Sequence, residues 1–163
     1  MNICRFQSVE GSADRIVSAR LQAGTELMDG IVAVCAKHDI KQGYISCCIG
    51  SLQKATFYVI KADGTVKTGA RYADPMEVKG PIQFVSGQGL ICRTEDGEYA
   101  LHVHGTFSHW KTEDEIQVFN GHMLQEGNPV QATVELIIHE VTGFNMLRKY
   151  DAEVDFICYC PEP

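Results

Sequence analysis

The sequence predicts an α+β fold, a mostly antiparallel β-sheet with one main α-helix. Three observations carry this. Apolar and polar residues alternate over several short runs, the period of a half-buried strand. Only one segment places its apolar residues at helical spacing. Turn signals separate the runs, Asp63-Gly64 in one case and Glu95-Asp96-Gly97-Glu98 in another.

Each element follows in order. "RIVSARLQAG" sets Ile16, Ser18 and Arg20 on one face and Val17, Ala19 and Leu21 on the other, and Gly24 ends it. "TELMDGIVAVCAKHDI" is the helix. Thr25 is the expected N-cap, and Glu26 and Asp29 fall in the first turn, where the helix dipole favours acids. Leu27, Ile31, Val34 and Cys35 share a face, Lys37 and His38 sit in the last turn, and Gly43 stops the chain. Gly43 opens a strand that kinks at Gly50-Ser51 and resumes through Phe57–Ile60. Residues 66–81 are polar and read as irregular or edge-like, because Pro75 and Pro81 cannot donate to a central ladder. Residues 82–92 and 98–108 form a hairpin across the Glu95–Glu98 turn. A loop at Trp110–Glu115 leads to another strand, and "PVQATVELIIHEV" suits a central one. Residues 144–163 show no clear period and read as a terminal strand or extension.

At 163 residues the chain reads as one domain spanning 1–163. A domain of this size buries ~70% of its unfolded surface and needs no disulfide or metal merely to fold. The formal charge of −7 and pI of about 5.3 make it a poor electrostatic partner for DNA or an anionic membrane. No run approaches the ~18 apolar residues of a membrane span. The N-terminal stretch lacks the pattern of a secretory signal. Seven cysteines, an odd number with Cys47 and Cys48 adjacent, read as reduced thiols. The expected location is the cytoplasm.

The chemistry concentrates in "LHVH". Strand alternation points His102, His104 and Thr106 one way and Leu101, Val103 and Phe107 the other. Imidazoles at i and i+2 lie ~7 Å apart at Cα, within reach of one ion. A metal site needs a third ligand, and His122 in "NGHM" is the natural one, because an antiparallel return brings it beside the pair. Gly121 removes a side chain next to it. Three histidines without a fourth protein ligand describe an open site. The bland alternative is polar decoration of a wet sheet face. His109 is a rival third ligand but reads as a loop residue on the surface, His38 as a helix-end residue, and His139 as the exposed end of a strand.

Two further residues are candidates for a catalytic role. Glu135 interrupts an apolar run; it could bind the metal, hold a ligand histidine, act as a general base, or simply face outward. Arg20 interrupts a strand in the same way, with an ion pair, an anion site and an exposed face as the alternatives. "SGQG" at Ser86–Gly89 and "GSL" at Gly50–Leu52 lack the length and following helix of a phosphate loop. Cys158 and Cys160 have no second cysteine pair at zinc-ribbon spacing.

Several stretches together resemble one family: "RLQAGTEL", "GYISCCIGSL", "GPIQFVSGQG", "LHVH", "NGHM" and "VELII". In order and spacing they are similar to the PPC domain, conserved in plants and prokaryotes, over about residues 15–140. The resemblance implies an α+β fold with an antiparallel sheet, a homotrimer, and a His-x-His pair followed by Gly-Gly-His. These features map to His102, His104 and His122, with Asn120 in place of the first glycine. The implied cofactor is a divalent transition metal, zinc or iron, open to a small-molecule ligand. Plant relatives join the domain to AT-hooks, basic minor-groove segments that this chain lacks. Its basic residues are scattered, with Arg148-Lys149 the only adjacent pair, so no intrinsic DNA affinity is expected. The expectation is a trimeric, cytoplasmic metal-binding protein. The alternative is a non-enzymatic assembly module that docks partner proteins, DNA-associated ones included.

Overall fold

The computed structural model describes residues 4–163, and its elements follow the alternation closely. They are β1 (Ser12–Gln22), α1 (Leu27–Lys37), β2 (Gly43–Tyr58), β3 (Ile60–Ala62), β4 (Ala70–Tyr72), β5 (Met76–Arg93), β6 (Tyr99–Thr112), β7 (Glu115–Met123), β8 (Val130–Thr142), β9 (Asn145–Asp151) and β10 (Phe156–Glu162). β8 lies between β1 and β2, antiparallel to both, as its apolar run requires. The opposite edge of β2 pairs with β5, which pairs with β6, which pairs with β7. The end of β7 then returns to β2 through Phe57↔Met123 and Tyr58↔His122. β2, β5, β6 and β7 thus close into a ring of pairings at one end of the sheet. The β9–β10 hairpin joins the edge of β5 by a single parallel pair, Arg93↔Leu147.

The core fills the inner face. Phe57, Phe84, Phe107, Leu52, Ile82 and Leu136 are at most 1% exposed, and Phe57 meets Phe107 edge-to-face with ring centres 4.9 Å apart. The helix covers this face with Leu27, Met28, Ile31 and Cys35. A polar side chain goes in with them. Asn128 is fully buried, and its amide accepts from the Thr56 N–H at 2.8 Å and donates to the Leu124 carbonyl at 2.9 Å. A buried amide that spends both ends costs little and fixes the loop before β8 against β2.

The structure corrects four sequence expectations. Glu26, not Thr25, is the N-cap, because the Thr25 N–H and carbonyl are held by Gln22 and Val130 in the turn closing β1. Glu26 makes no side-chain cap and accepts the Asn128 N–H at 2.6 Å instead. The kink at Gly50 does not split the strand: β2 is continuous, and the glycine, with φ 152°, takes up a register shift against β8. Pro81 lies inside β5, not outside a strand. Pairing with β6 begins only at Gln83, and pairing with β2 is interrupted between Ile82 and Lys79, so the missing N–H of Pro81 is asked for by neither neighbour. The loop expected at Trp110–Glu115 shrinks to residues 113–114, which puts His109 within β6, half-buried opposite Gln117. Two other expectations are sharpened. The C-terminal stretch is a regular hairpin, and His139 stacks on Tyr44 with ring centres 4.8 Å apart. Among the described residues no helix is long and apolar enough to cross a membrane.

Candidate metal centre

β6 carries the first two histidines on the face turned away from the core. Val103 and Phe107 are fully buried beneath the strand, so His102 and His104 must point outward. The antiparallel register sets His122 of β7 directly opposite His104. Two glycines let the strands meet. A Cβ on Gly121 would fall into the Tyr58 carbonyl and the Phe57 ring, and one on Gly105 into the Phe84 ring and Met123. Asn120 sits in regular register opposite Thr106, so it leaves the local backbone undisturbed.

The three rings converge. Their centres lie 5.0 Å apart for His102–His104, 5.0 Å for His102–His122 and 5.4 Å for His104–His122. One nitrogen from each falls within 4.8 Å of the others. His102 Nε2 and His104 Nε2 are 3.1 Å apart, near the ~3.3 Å edge of a tetrahedron with bonds of ~2.0–2.1 Å. His122 Nδ1 is buried and has no hydrogen-bond partner. A buried orphan nitrogen lacks something that a cation or water would supply. Burial is also the first cause that holds both His102 and His122 down to about 4, and the Arg148 charge and the neighbouring histidines add to it. Both rings are therefore neutral at ordinary pH, the form that ligates metals. The donor set fits a divalent transition metal with a position left open.

The surroundings come from β4, β9 and β10. Tyr72 packs against His122 at 5.2 Å, stacks on Tyr58 at 5.1 Å and meets Phe156 at 5.8 Å. Arg148 of β9 donates from Nη1 to His102 Nδ1 at 3.1 Å and from Nη2 to the Ile157 carbonyl at 2.9 Å. Three open clefts reach the histidines. One, of about 660 Å³, is lined by Tyr44, Gln88, Leu90, His102 and His104; another, of about 400 Å³, runs along Tyr72, His122 and Arg148. The third, of about 300 Å³, lies between Gln88, His104 and Asn120.

Glu135 and Arg20 are not among these residues. They face each other across β8 and β1, both exposed, and Glu135 accepts the Thr133 hydroxyl at 3.3 Å. Neither lines a cleft that reaches the histidines. Arg148 is the residue the sequence reading passed over. Its only signal was the adjacent basic pair, and nothing in the local pattern announces that β9, paired to β5, brings Arg148 to His102.

Residues 8–142 match the family model of the Plants and Prokaryotes Conserved (PCC) domain. Among solved structures, a metal-containing protein from Archaeoglobus fulgidus matches with a TM-score of 0.75 at 18% identity, covering 95% of this chain and 99% of its own. A plant- and prokaryote-conserved protein from Pyrococcus horikoshii matches with a TM-score of 0.73 at 22% identity, covering 93% and 96%. A protein from Ralstonia eutropha JMP134, whose name proposes DNA binding, matches with a TM-score of 0.67 at 22% identity, covering 88% and 89%. No curated protein sequence matches.

Proposed function

This chain belongs to the Plants and Prokaryotes Conserved domain family, and from that premise we propose that it is a metal-binding protein whose His102, His104 and His122 hold zinc or iron in an open site. The convergence of three imidazole nitrogens within 4.8 Å of one another carries this reading. The unpartnered His122 Nδ1 and the metal-containing neighbour from Archaeoglobus fulgidus support it. A bound divalent metal would supply Lewis acidity at its free position, polarising a carbonyl or activating water on a small molecule. The residues of this chain do the rest. His102 and His122 arrive neutral and need shed no proton, β6 and β7 fix the spacing, and the clefts admit the ligand.

The same face supports a homotrimer. Beyond the histidines, Trp110 on β6 and Ile116 and Val118 on β7 stay 63%, 54% and 64% exposed. An uncovered apolar patch beside a polar site is a place for protein contact. All seven cysteines are free, in keeping with a cytoplasmic location.

Elemental analysis of the purified protein tests the central claim. About one zinc or iron per chain is expected, and no stoichiometric metal after reconstitution would overturn it. The second reading, a docking module for DNA-associated partners, is favoured by the proposed DNA binding of the Ralstonia eutropha neighbour. It predicts that histidine variants keep full partner capture. In either case the −7 charge predicts no direct duplex binding at physiological salt, which an anisotropy titration checks.

A further inference from the structure

We propose that the ligand of this centre carries a carboxylate, gripped by Arg148 beside the metal; the inference rests on the metal reading above. Arg5, Arg15 and Arg71 each hold a carboxylate, Arg93 donates to the Lys41 and Gly97 carbonyls and lies over the Tyr99 ring, and Arg20 is exposed. Arg148 holds no carboxylate either, but it alone among these sits beside the three histidines. Half-buried at the edge of the site, it spends one donor on His102 Nδ1 and another on the Ile157 carbonyl, and no acidic side chain among the described residues pairs with it. An unpaired, partly desolvated guanidinium is costly unless something anionic visits it.

The direction of the His102 contact strengthens the point. A guanidinium has donors only, so His102 Nδ1 must accept, and the proton of the neutral ring then sits on Nε2. From there it points at His104 Nε2, 3.1 Å away. If His102 Nε2 held a metal, the ring's single proton would belong on Nδ1, which could then no longer accept, and Arg148 would lack that acceptor beside a second positive charge. A carboxylate would offset both charges, with the three histidines holding the metal and Arg148 Nη1 donating to the carboxylate.

The cleft of about 400 Å³ gives the rest of the ligand its shape. Tyr72 and Phe156 make flat apolar walls, with His122 at the metal end and Arg148 alongside. The size and lining suit a small carboxylic acid with a planar or apolar body. Asp155 lines the same cleft and is the one charge there that opposes an anion, although the Tyr150 hydroxyl donates to its carboxylate.

The test uses the full chain loaded with cobalt(II), with metal content measured first. Benzoate is titrated while the visible absorption of the cobalt is followed, and benzamide is the uncharged control. Benzoate should saturate the wild-type signal and benzamide should not. Arg148→Met should keep its metal and its circular dichroism but weaken benzoate by at least about tenfold, the size of a lost charge-assisted hydrogen bond. Arg148→Lys should recover part of that loss, and Asp155→Asn should bind benzoate at least as well as wild type. Equal benzoate affinity in wild type and Arg148→Met, equal binding of benzamide, or no spectral response in metal-loaded wild type would overturn the inference. A wild-type protein that takes up no metal removes the metal reading itself, and elemental analysis separates that outcome from the others.

Discussion

The two faces of β6 share one backbone and have opposite tasks. Val103 and Phe107 point inward and are fully buried, whereas His102 and His104 point outward to an open cleft. The inner face meets Phe57, Phe84 and Phe119, apolar neighbours that any well-packed sheet would provide. The outer face meets His122 and Arg148, polar neighbours brought in from β7 and β9. Strand alternation lets the chain keep its folding energy on one side and leave the other free for chemistry. If that separation is real, substitutions on the two faces should fail in different ways.

The largest effect belongs inside. Phe107→Ala removes a fully buried ring that packs on Phe57 and Phe119. It should cost about 3–5 kcal/mol, the usual range for emptying an aromatic core position. For a chain of this length each kcal/mol moves Tm by about 2–4 °C, so the melt should fall by roughly 6–20 °C. Thermal denaturation followed by circular dichroism reads this directly. A fall of only a degree or two would mean that the inner face is not where the stability sits.

The same contrast explains what the sequence disclosed. The inner face was legible because apolar alternation is local, so β1, α1, the β5–β6 hairpin and central β8 could be read from their own residues. His102 and His104 were legible as a pair by that same period, and His122 by the antiparallel return that the short β6–β7 connection enforces. Arg148 was not legible. Its place depends on one parallel pairing, Arg93↔Leu147, between strands more than fifty residues apart, and no periodicity encodes such a contact. Pro81 misled for a related reason. A proline rules out a strand position only where the neighbour its N–H would face needs that donor, and here neither β6, which starts pairing at Gln83, nor β2 pairs at Pro81. Glu135 stood out because it interrupts an apolar run, yet β8 has an open outer face there, and an exposed carboxylate costs nothing.

A smaller effect should come from the outer face through pH. His102 and His122 are held near 4, chiefly by burial, whereas an unfolded histidine titrates near 6.5. Between those values the unfolded chain binds more protons than the folded one. Stability of the metal-free protein should therefore fall as pH drops from about 6.5 to about 4, and these two groups add no further slope below that. Both rings are only half-buried, so the loss is on the order of 1 kcal/mol for the pair, a few degrees in Tm. Carboxylates contribute to acid melting as well. The informative quantity is the difference in slope between wild type and a His102→Ala/His122→Ala variant, and identical slopes would show that burial does not restrain these rings.

The smallest effect on the fold should accompany the most complete loss of the site. His104 is exposed and its ring lies against those of the other two histidines, so His104→Ala should change the stability of the metal-free protein by no more than about 0.5 kcal/mol. It also removes one of the three proposed ligands, and two imidazoles on an open surface hold a metal weakly, so bound metal should drop from about one per chain to a small fraction. Melting curves and elemental analysis on the same sample read both halves. A melt lowered as far as that of Phe107→Ala would mean that the outer face supports the fold and that the separation of tasks across β6 is wrong. A normal melt with metal retained would leave the separation intact and move the metal away from the histidines.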